Sequence, residues 1–477
     1  MICLEMRLNG KNKSFPSKVF SCPSVRKIFA SVRPLTEFDS NAIGEHDLHQ
    51  AEKNILLRRR ENNIPNIRNI LKRLKLNKTS SEDIDKLKNE LLKLPNDTHP
   101  RLWTYENRPK ETLLCDPTKI GTNYVEFSQV CKFNNMLRMN QLGNYTGQKS
   151  YYLFGKLAEL EQALIRYTLS VLKQKQFRLL AVPDILPKHI IEGCGMATDG
   201  DRNQKLRSTN LRFSLGTSAR SKSALAIFTD SRIACNALKS DRVQYIAQIK
   251  LLDKATYVYK LDSGDCLSGT SEMSLAGYFS NKLLEENNLP IKVAAVSRCY
   301  RAETSGLQEE KGIYRVHQFT KVEMFSICSE LESHEMLQHF KDIEIEIFKS
   351  LNLHLRLLDM PPTELGASAY EKYDLEAWMP GRQMWGEISS CSNCTDYQAK
   401  RLNIKYVTNE GQNKWVNTIN GTATAIPRLL IALLESNQKG TNLLVPDVLK
   451  DYLNTSVLTK EKSIPEVKLV KQIKSKE

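Results

Sequence analysis

The sequence predicts an α+β fold, in which an antiparallel sheet is flanked by helices and preceded by a short helical region. Between Gly264 and Leu453, helix-like and strand-like segments alternate densely. The strand-like segments carry polar or charged residues at alternate positions, which is typical of an antiparallel sheet with one ligand-bearing face. Before them, residues 44–95 place apolar residues at helical spacing.

Bulk composition narrows the class of protein. At 477 residues the chain is long enough for two or three domains. Its net charge of +15 favours a polyanionic partner, although it also suits a basic mitochondrial protein. No apolar run reaches the roughly 18 residues of a transmembrane helix. The 11 cysteines are irregularly spaced, which argues against a secreted disulfide framework. Cys391 and Cys394 form a CxxC pair without a second pair, so we expect no zinc site.

Both ends of the chain are basic. Residues 1–36 are rich in Arg, Lys and Ser, and no Asp or Glu lies between Met6 and Thr36. This composition predicts a disordered mitochondrial presequence, with a basic tail or an RNA-binding arm as the alternatives. The segment 456–477 predicts a basic, disordered tail.

The region 44–95 predicts a short arm of three helices. The second helix begins near Pro65, the third is capped by Ser80 or Ser81, and Pro95 ends the region. A cluster of basic residues is either a solvated face or, with an RNA partner, a set of phosphate contacts. Its members are Arg58, Arg59, Arg60, Arg68, Lys72, Arg73 and Lys75.

A second, larger domain is predicted over residues 110–455. KLAELEQALIRYTLSVLKQ predicts an amphipathic helix after Gly155, and FRLLAVPDIL predicts a buried strand that ends at Pro183. Residues 205–257 interrupt this domain, since they have no proline and no clear periodicity. They are either a surface insertion or translated intron sequence, and we favour the second.

Three predicted sheet segments carry charge where apolar side chains are usual. Arg301 and Glu303 lie two apart and therefore on one strand face. EISS brings Glu387 and Ser390, and NGTATAIPR brings Asn420, Thr422 and Arg428 to the start of a helix. Because a buried charge needs a partner or a ligand, three such segments predict a binding site.

These segments resemble the seryl-tRNA synthetases of class II. CYRAE with GIYRVHQFTKVEMF is similar to their motif 2, and NGTATAIPRLLIALLESNQ to their motif 3. GTSEMSLAGYF is similar to their serine-binding TxE segment, and the stretch from YEKYDLEAWM to EISSCSNCTD is similar almost throughout. The resemblance covers most of residues 144–204 and 258–453. It implies the class II catalytic fold, and the particular residues in these segments are most similar to those of the animal mitochondrial branch.

The resemblance also implies the site residues. Catalysis would involve Arg301, Glu387 and Arg428. Serine would be bound by Thr270, Ser271, Glu272, Arg301, Glu323, Asn420 and Thr422. ATP would be bound by Arg301, Ala302, Glu303, Arg315, Phe319, Glu387, Ile388, Ser389, Ser390 and Arg428. Within that set Phe319 would stack on adenine, and Glu387 with Ser390 would hold Mg²⁺.

The implied reaction needs no protein nucleophile. Serine would attack the α-phosphorus of ATP, and tRNA(Ser) would then accept the seryl group, with alignment and charge stabilisation supplied by the protein. The implied enzyme is a homodimer in the mitochondrial matrix, with residues 154–183 at its interface. No membrane partner is expected.

Several positions depart from the family pattern. The helical arm is truncated, which puts recognition of a long tRNA variable arm in doubt. Ser271 stands where alanine is common in the family, and Ala197 replaces an arginine that is frequent there. The loop 305–312 also differs from the family in amino-acid sequence. The alternative is a catalytically inactive relative that binds RNA or dimerises. A threonyl or prolyl type lacks support in EISSCSNCTD. Because Thr270, Glu272, Arg301, Glu323, Glu387 and Arg428 are all present, we favour an active enzyme.

Overall fold

The computed structural model describes residues 43–76, 81–114, 123–139, 149–198, 204–206, 258–302, 311–439 and 442–463. The predicted presequence at 1–36, Glu303, residues 207–257 and residues 464–477 lie outside the described residues. Among the described helices, none has the length and apolar character needed to cross a membrane.

The described residues alternate between helices and strands. The α-helices are α1 (Glu45–Leu57), α2 (Ile64–Leu76), α3 (Ser81–Leu92), α4 (Phe127–Phe133), α5 (Lys156–Gln174), α6 (Lys188–Gly193), α7 (Ser271–Tyr278), α8 (Ser333–Ser350), α9 (Tyr397–Leu402), α10 (Ile426–Ser436) and α11 (Asp447–Leu453). The strands are β1 (Lys110–Leu113), β2 (Leu137–Arg138), β3 (Tyr152–Leu153), β4 (Arg178–Leu180), β5 (Ile185–Leu186), β6 (Gln204–Leu206), β7 (Tyr259–Leu261), β8 (Cys266–Leu267), β9 (Leu283–Glu285), β10 (Ile291–Tyr300), β11 (Gln318–Cys328), β12 (Leu355–Asp359), β13 (Glu371–Met379), β14 (Met384–Thr395), β15 (Lys405–Val407), β16 (Asn413–Trp415), β17 (Asn417–Ala425), β18 (Gln438–Lys439), β19 (Asn442–Leu444) and β20 (Val457–Leu458).

The arm consists of α1, α2 and α3, which share a small apolar core of their own. Ile67, Ile70, Leu71 and Leu74 recur at helical spacing on α2 and are buried there. The predicted arm is therefore short but folded, with a stripe of apolar residues that closes on its neighbours.

Arg58 belongs to this arm, and both alternatives predicted for it, a solvated face and a phosphate contact, are wrong. Its side chain is buried and donates to the carbonyl oxygens of Asp97 and Ala369, both at 2.7 Å, and to the Thr98 hydroxyl at 2.8 Å. Burial lowers the pKa of this guanidinium to about 9. Arg58 therefore links the arm to the catalytic domain, because its guanidinium donates to backbone carbonyl oxygens of two separate chain segments.

Other arginines of the predicted cluster are also engaged within the arm. Arg68 pairs with Glu45 and Glu52, and Arg73 pairs with Asp83. Lys72 and Lys75 on α2 are exposed. A phosphate contact at this surface is thus confined to fewer residues than the sequence indicated.

An eight-stranded sheet forms the centre of the catalytic domain, in the order β1-β12-β13-β14-β17-β11-β10-β4. All neighbouring strands are antiparallel except β10 and β4, which pair in parallel. The predicted α+β fold is confirmed. The segments predicted as strands from their alternation correspond to β10, β11, β13 and β14; they are IKVAAVSRCYRAE, YRVHQFTKVEMFSI, EKYDLEAWM and MWGEISSCS.

The two faces of the sheet differ along β11. Val322 and Met324 point into the larger core, which α5, α8 and α10 complete. Phe325 points into a second core with α6, α7 and α9. The positions that alternate with Val322 therefore face the second side, where Phe319, Lys321 and Glu323 lie.

Two predictions are wrong, one about the burial of a strand and one about the start of the C-terminal tail. The strand predicted as buried within FRLLAVPDIL is the short edge strand β4, whose Leu179 is 56% exposed in the single chain. The tail predicted as disordered from residue 456 is ordered through Ser463. There β20 pairs with β19, and the Glu461 carboxylate accepts a hydrogen bond from the backbone N–H of Lys156 at 2.8 Å. Glu461 thus supplies an acceptor at the start of α5, which the sequence pattern did not reveal.

Candidate active site

One pocket brings together most of the residues predicted to bind ATP. It lies over β10, β11, β14 and β17 and the start of α10. Its wall includes the predicted residues Arg301, Arg315, Phe319, Glu387, Ile388, Ser389, Ser390, Thr422 and Arg428. Ala302 is buried next to Arg301, and Glu303 lies outside the described residues.

A bulge in β14 aims the acidic residue and the serine predicted to hold Mg²⁺. Leu375 pairs with Ser389 and Glu376 pairs with Glu387, so Ile388 is the extra residue between them. In a regular strand, residues three apart point to opposite faces. The extra residue restores a common face, so that Glu387 and Ser390 both line the pocket.

The nucleotide half of the pocket, which we define as Arg301, Phe319, Glu387, Ser390 and Arg428, is dominated by cations. The Arg301 guanidinium carbon lies 5.2 Å from the centre of the Phe319 ring. Arg428 donates through Nη1 to the Glu387 carbonyl oxygen at 3.0 Å and to its carboxylate at 3.2 Å. This half therefore combines two cationic side chains with an aromatic ring, which suits an anionic, aromatic ligand.

Glu387 stays ionised in this half. Its withdrawal from water opposes ionisation and would raise its pKa. The charges of Lys372, Arg428 and Arg301 outweigh that cost and lower the pKa of Glu387 to about 2. A carboxylate held charged beside a hydroxyl offers hard oxygen donors to a divalent cation.

A more deeply buried group of polar residues adjoins the pocket, and we call it the amino-acid half and define it as Glu272, Lys321, Glu323, Asn420 and Thr422. Lys321 and Thr422 line the pocket wall, whereas the other three lie beyond that wall. Lys321 Nζ lies 2.5 Å from the Glu323 carboxylate and donates to the Thr422 hydroxyl at 3.3 Å. The Thr422 hydroxyl also lies 3.4 Å from Glu323. Burial raises the pKa of Glu323, while the Lys321 ammonium acts against the rise.

Glu272 is the second acid of this half. Its carboxylate accepts hydrogen bonds from the Gln398 amide at 2.6 Å and from the Asn420 amide at 2.9 Å. Burial, and then the Glu323 charge, raise the pKa of Glu272 to about 7. A single lysine cannot balance the charge of two adjacent buried carboxylates. The ammonium group of a ligand can supply the second positive charge.

Thr270 and Ser271 shape the entry to α7. Thr270 is the N-cap, and its hydroxyl accepts from the Glu272 backbone N–H at 3.3 Å. Ser271 is fully buried, and its hydroxyl has no hydrogen-bond partner. The structure therefore gives Thr270 a role in orienting Glu272, whereas Ser271 lies behind the site.

Three functional neighbours were missed by reasoning from the sequence. Lys321 stands two residues before Glu323, and this spacing on one strand could have revealed the ion pair. Gln398 supports Glu272 from α9, and Tyr314 forms a wall of the nucleotide half. Neither carries a local signal, because both reach the site through tertiary packing.

The CxxC pair is buried on β14 and its two thiols have different neighbours. Cys391 lies near Glu344, and Cys394 accepts a hydrogen bond from Asn420 at 3.3 Å. Across the described ranges, no group of three His, Cys, Asp or Glu side chains is placed to hold a metal ion. An ion held chiefly by substrate phosphates needs no such group.

Comparison with known proteins agrees with this geometry. The family model for the tRNA synthetase class II core domain (G, H, P, S and T) matches residues 259–437. The serine–tRNA ligase of Dictyoglomus turgidum is 30% identical over 457 residues, which cover 92% of this chain and 90% of that protein. The chain belongs to the serine–tRNA ligase family. The resemblance found in the motifs is thereby confirmed.

Within this family, mitochondrial relatives are similar over a smaller share of their length. The mitochondrial serine–tRNA ligase of mouse is 35% identical over 390 residues, covering 80% of this chain but 65% of that protein. The match to the mitochondrial serine–tRNA ligase of cow covers 64% of that protein. The crystal structure of seryl-tRNA synthetase from Pyrococcus horikoshii complexed with ATP has a TM-score of 0.65 and 25% identity, and covers 87% of this chain and 89% of that one.

Proposed function

We propose that this chain is a mitochondrial serine–tRNA ligase, which converts L-serine and ATP to seryl-adenylate and transfers the seryl group to tRNA(Ser). The observation that carries the proposal is the adjacency of the two halves of the pocket. A cationic half suits a triphosphate, and an acidic half beside it suits an ammonium group. Relatives bearing the name serine–tRNA ligase, and one solved with ATP, support this assignment.

Arg301 stands where the two halves meet. Its backbone N–H donates to the His317 carbonyl at 2.9 Å, and its Nε lies 3.5 Å from the Gly269 carbonyl, just before Thr270. A planar guanidinium in this position can hold the serine carboxylate and the α-phosphate together. A carboxylate oxygen would then attack the α-phosphorus in line and form the P–O bond of seryl-adenylate, while the bond from the α-phosphorus to the α,β-bridging oxygen breaks and pyrophosphate leaves.

Glu387 and Ser390 fit a magnesium ion bound with the ATP phosphates. The fit rests on the chemistry of the donors, a carboxylate kept ionised and a hydroxyl on the same wall. Such an ion, when bound, would neutralise phosphate charge. Glu387 also pairs with Arg428, so the same carboxylate restrains that arginine.

Serine-dependent exchange of pyrophosphate into ATP tests the activation step on the full-length chain. We expect exchange with L-serine and at least about tenfold less with L-alanine, since a site that binds the hydroxyl leaves polar groups unpaired without it. L-threonine keeps the hydroxyl, and its exchange should be at least about tenfold lower because the site has to accommodate an extra methyl group. Exchange with none of them, by a folded protein that binds ATP, would reject the enzyme and favour the inactive relative.

The RNA side of the proposal rests on the arm. Lys72 and Lys75 are exposed on α2, whereas Arg58 is committed to holding the arm in place. Reversing both lysine charges should weaken binding of transcribed tRNA(Ser) and reduce its dependence on salt, because each phosphate contact releases counterions. Lys414→Glu with Lys462→Glu, an equal charge change at exposed sites elsewhere, provides the control.

A homodimer in the mitochondrial matrix completes the proposal. The edge strand β4 exposes Leu179, and nearby Ile185 is 44% exposed, so this side offers apolar surface to a second copy. Light scattering should give twice the mass of one chain, and Leu179→Asp should lower it. The basic residues 1–36 and the mitochondrial relatives support import, which an assay with isolated mitochondria can test.

A further inference from the structure

The ring of Tyr314 lies between two arginines. The guanidinium carbon of Arg428 is 4.6 Å from the ring centre, and that of Arg382 is 5.7 Å from it. Arg428 belongs to the nucleotide half, but Arg382 lies outside the pocket wall. The ring therefore links a site arginine to one in the supporting structure.

Arg382 is fixed by several elements of the fold. Its buried side chain pairs with Glu126 at 3.0 Å and donates to the Lys311 carbonyl oxygen at 2.9 Å. Its backbone N–H donates to the carboxylate of Glu435, the buried acid at the end of α10, at 3.1 Å. Arg382 thus ties the turn between β13 and β14 to the chain segment that carries Tyr314.

Tyr314 in turn restrains Arg428 on more than one side. The Tyr314 carbonyl oxygen lies 3.4 Å from Arg428 Nε, and the phenol oxygen is hydrogen-bonded to the Glu387 backbone. A Cβ on Gly386 would lie 3.1 Å from Tyr314 Cε2, so glycine there allows the ring to lie close against β14. The ring, its carbonyl and Glu387 together leave the Arg428 guanidinium little freedom.

We propose that Tyr314, backed by Arg382, is a positioning residue that orients Arg428 toward the phosphates of ATP. The inference rests on the proposed function only in naming ATP as the ligand. A cation over an aromatic face is stabilised by the ring quadrupole, and the same contact preorganises the guanidinium before the nucleotide binds. Removing the ring should cost about three- to tenfold in ATP affinity, the lower part of the range for a partly shielded cation–π pair.

Calorimetric binding of ATP to the full-length protein tests this role. Tyr314→Leu should raise the dissociation constant of ATP by about three- to tenfold, while Tyr314→Phe, which keeps the ring, should stay within about twofold. Tyr314→Met keeps much of the volume without the ring and replaces Leu if that variant does not fold. Tyr373→Leu is the matched control, because Arg101 and Lys341 each lie 5.6 Å from its ring outside the pocket.

A double-mutant cycle separates positioning from a structural effect. In an Arg428→Ala background, Tyr314→Leu should no longer weaken ATP binding, because the two changes act through one contact. Equal losses of ATP affinity in the wild-type and Arg428→Ala backgrounds would overturn the proposal. So would a loss of ATP affinity in Tyr314→Phe as large as in Tyr314→Leu, or a wild-type protein that does not bind ATP. If the cycle behaves as expected but serine-dependent exchange is absent, the proposed function fails and the positioning role stands.

Discussion

The nucleotide half and the amino-acid half lie side by side on one sheet face but treat their carboxylates in opposite ways. In the nucleotide half, Lys372 and two arginines hold the pKa of Glu387 down to about 2. In the amino-acid half, burial and the Glu323 charge raise the pKa of Glu272 to about 7, and burial raises the pKa of Glu323. Neighbouring cations hold the Glu387 carboxylate in its ionised form. The carboxylates of Glu272 and Glu323 become fully ionised only when a cationic ligand binds beside them.

The difference follows from the charges of the proposed ligands. ATP and its metal ion arrive strongly charged, so a permanently ionised surface around Arg301 and Arg428 is suitable. Serine brings a single ammonium group into a buried space, where an unpaired carboxylate is costly. Lys321 partly offsets Glu323 before the ligand binds. Selectivity for an ammonium thus arises from incomplete neutralisation of two acids by one lysine.

Arg301→Ala should produce the largest effect, because Arg301 serves both halves. We expect the rate of serine-dependent exchange to fall by at least about 10²–10³-fold, the range for loss of a donor that stabilises developing charge. Arg301→Lys should recover little of it, since an ammonium lacks the planar fork. Arg298→Ala, at an exposed position on β10 shortly before Arg301, should leave the rate within about twofold. Arg301→Ala within tenfold of the wild type would contradict the shared role.

Glu272→Gln should damage the amino-acid half alone. Loss of a charged acceptor costs roughly 1.5–3 kcal/mol, so the KM for serine should rise by about 10- to 100-fold while the KM for ATP stays nearly constant. Glu387→Gln is the counterpart in the other half and should raise the KM for ATP with Mg²⁺ instead. Steady-state exchange kinetics measures both. If each variant changed both constants equally, the division of the pocket into halves would be wrong.

Much of this division could be predicted from the sequence, because three charged segments indicated a binding site and their resemblance to the seryl-tRNA synthetases implied which residues bind each ligand. Arg301, Glu387 and Arg428 were expected together, and the structure brings them to one pocket. The bulge at Ile388 could not be predicted, since a single extra residue leaves no mark on the alternation. Without it, the sequence spacing of Glu387 and Ser390 would have suggested opposite faces.

Burial by distant segments was the other limit. Arg58 lies in a run of three arginines that looks like a solvated face, yet its acceptors include the carbonyl of Ala369, over 300 positions away. Leu179 lies in an apolar run that indicates a buried strand, but β4 is an edge strand of the single chain. The local sequence pattern shows whether a residue is polar or apolar. The burial of Arg58 and the exposure of Leu179 depend instead on what tertiary packing or a partner chain places beside them.

The smallest predicted effect is a difference in pH dependence between the halves. Below its pKa of about 7 Glu272 is neutral, so binding the serine ammonium requires it to release a proton. The KM for serine should therefore fall by about tenfold as the pH rises from about 6 to about 8. Glu387 is ionised over this whole range, so the KM for ATP should change by less than about twofold.

Glu272→Gln provides the control for this pH effect, because an amide does not titrate. In that variant the KM for serine should be raised but nearly independent of pH, whereas Glu387→Gln should keep the wild-type slope. A slope that survives in Glu272→Gln would assign the proton to Glu323, whose pKa is raised by the same burial. A slope in the KM for ATP of equal size would mean that the nucleotide half also titrates, and the contrast between the two carboxylates would fail.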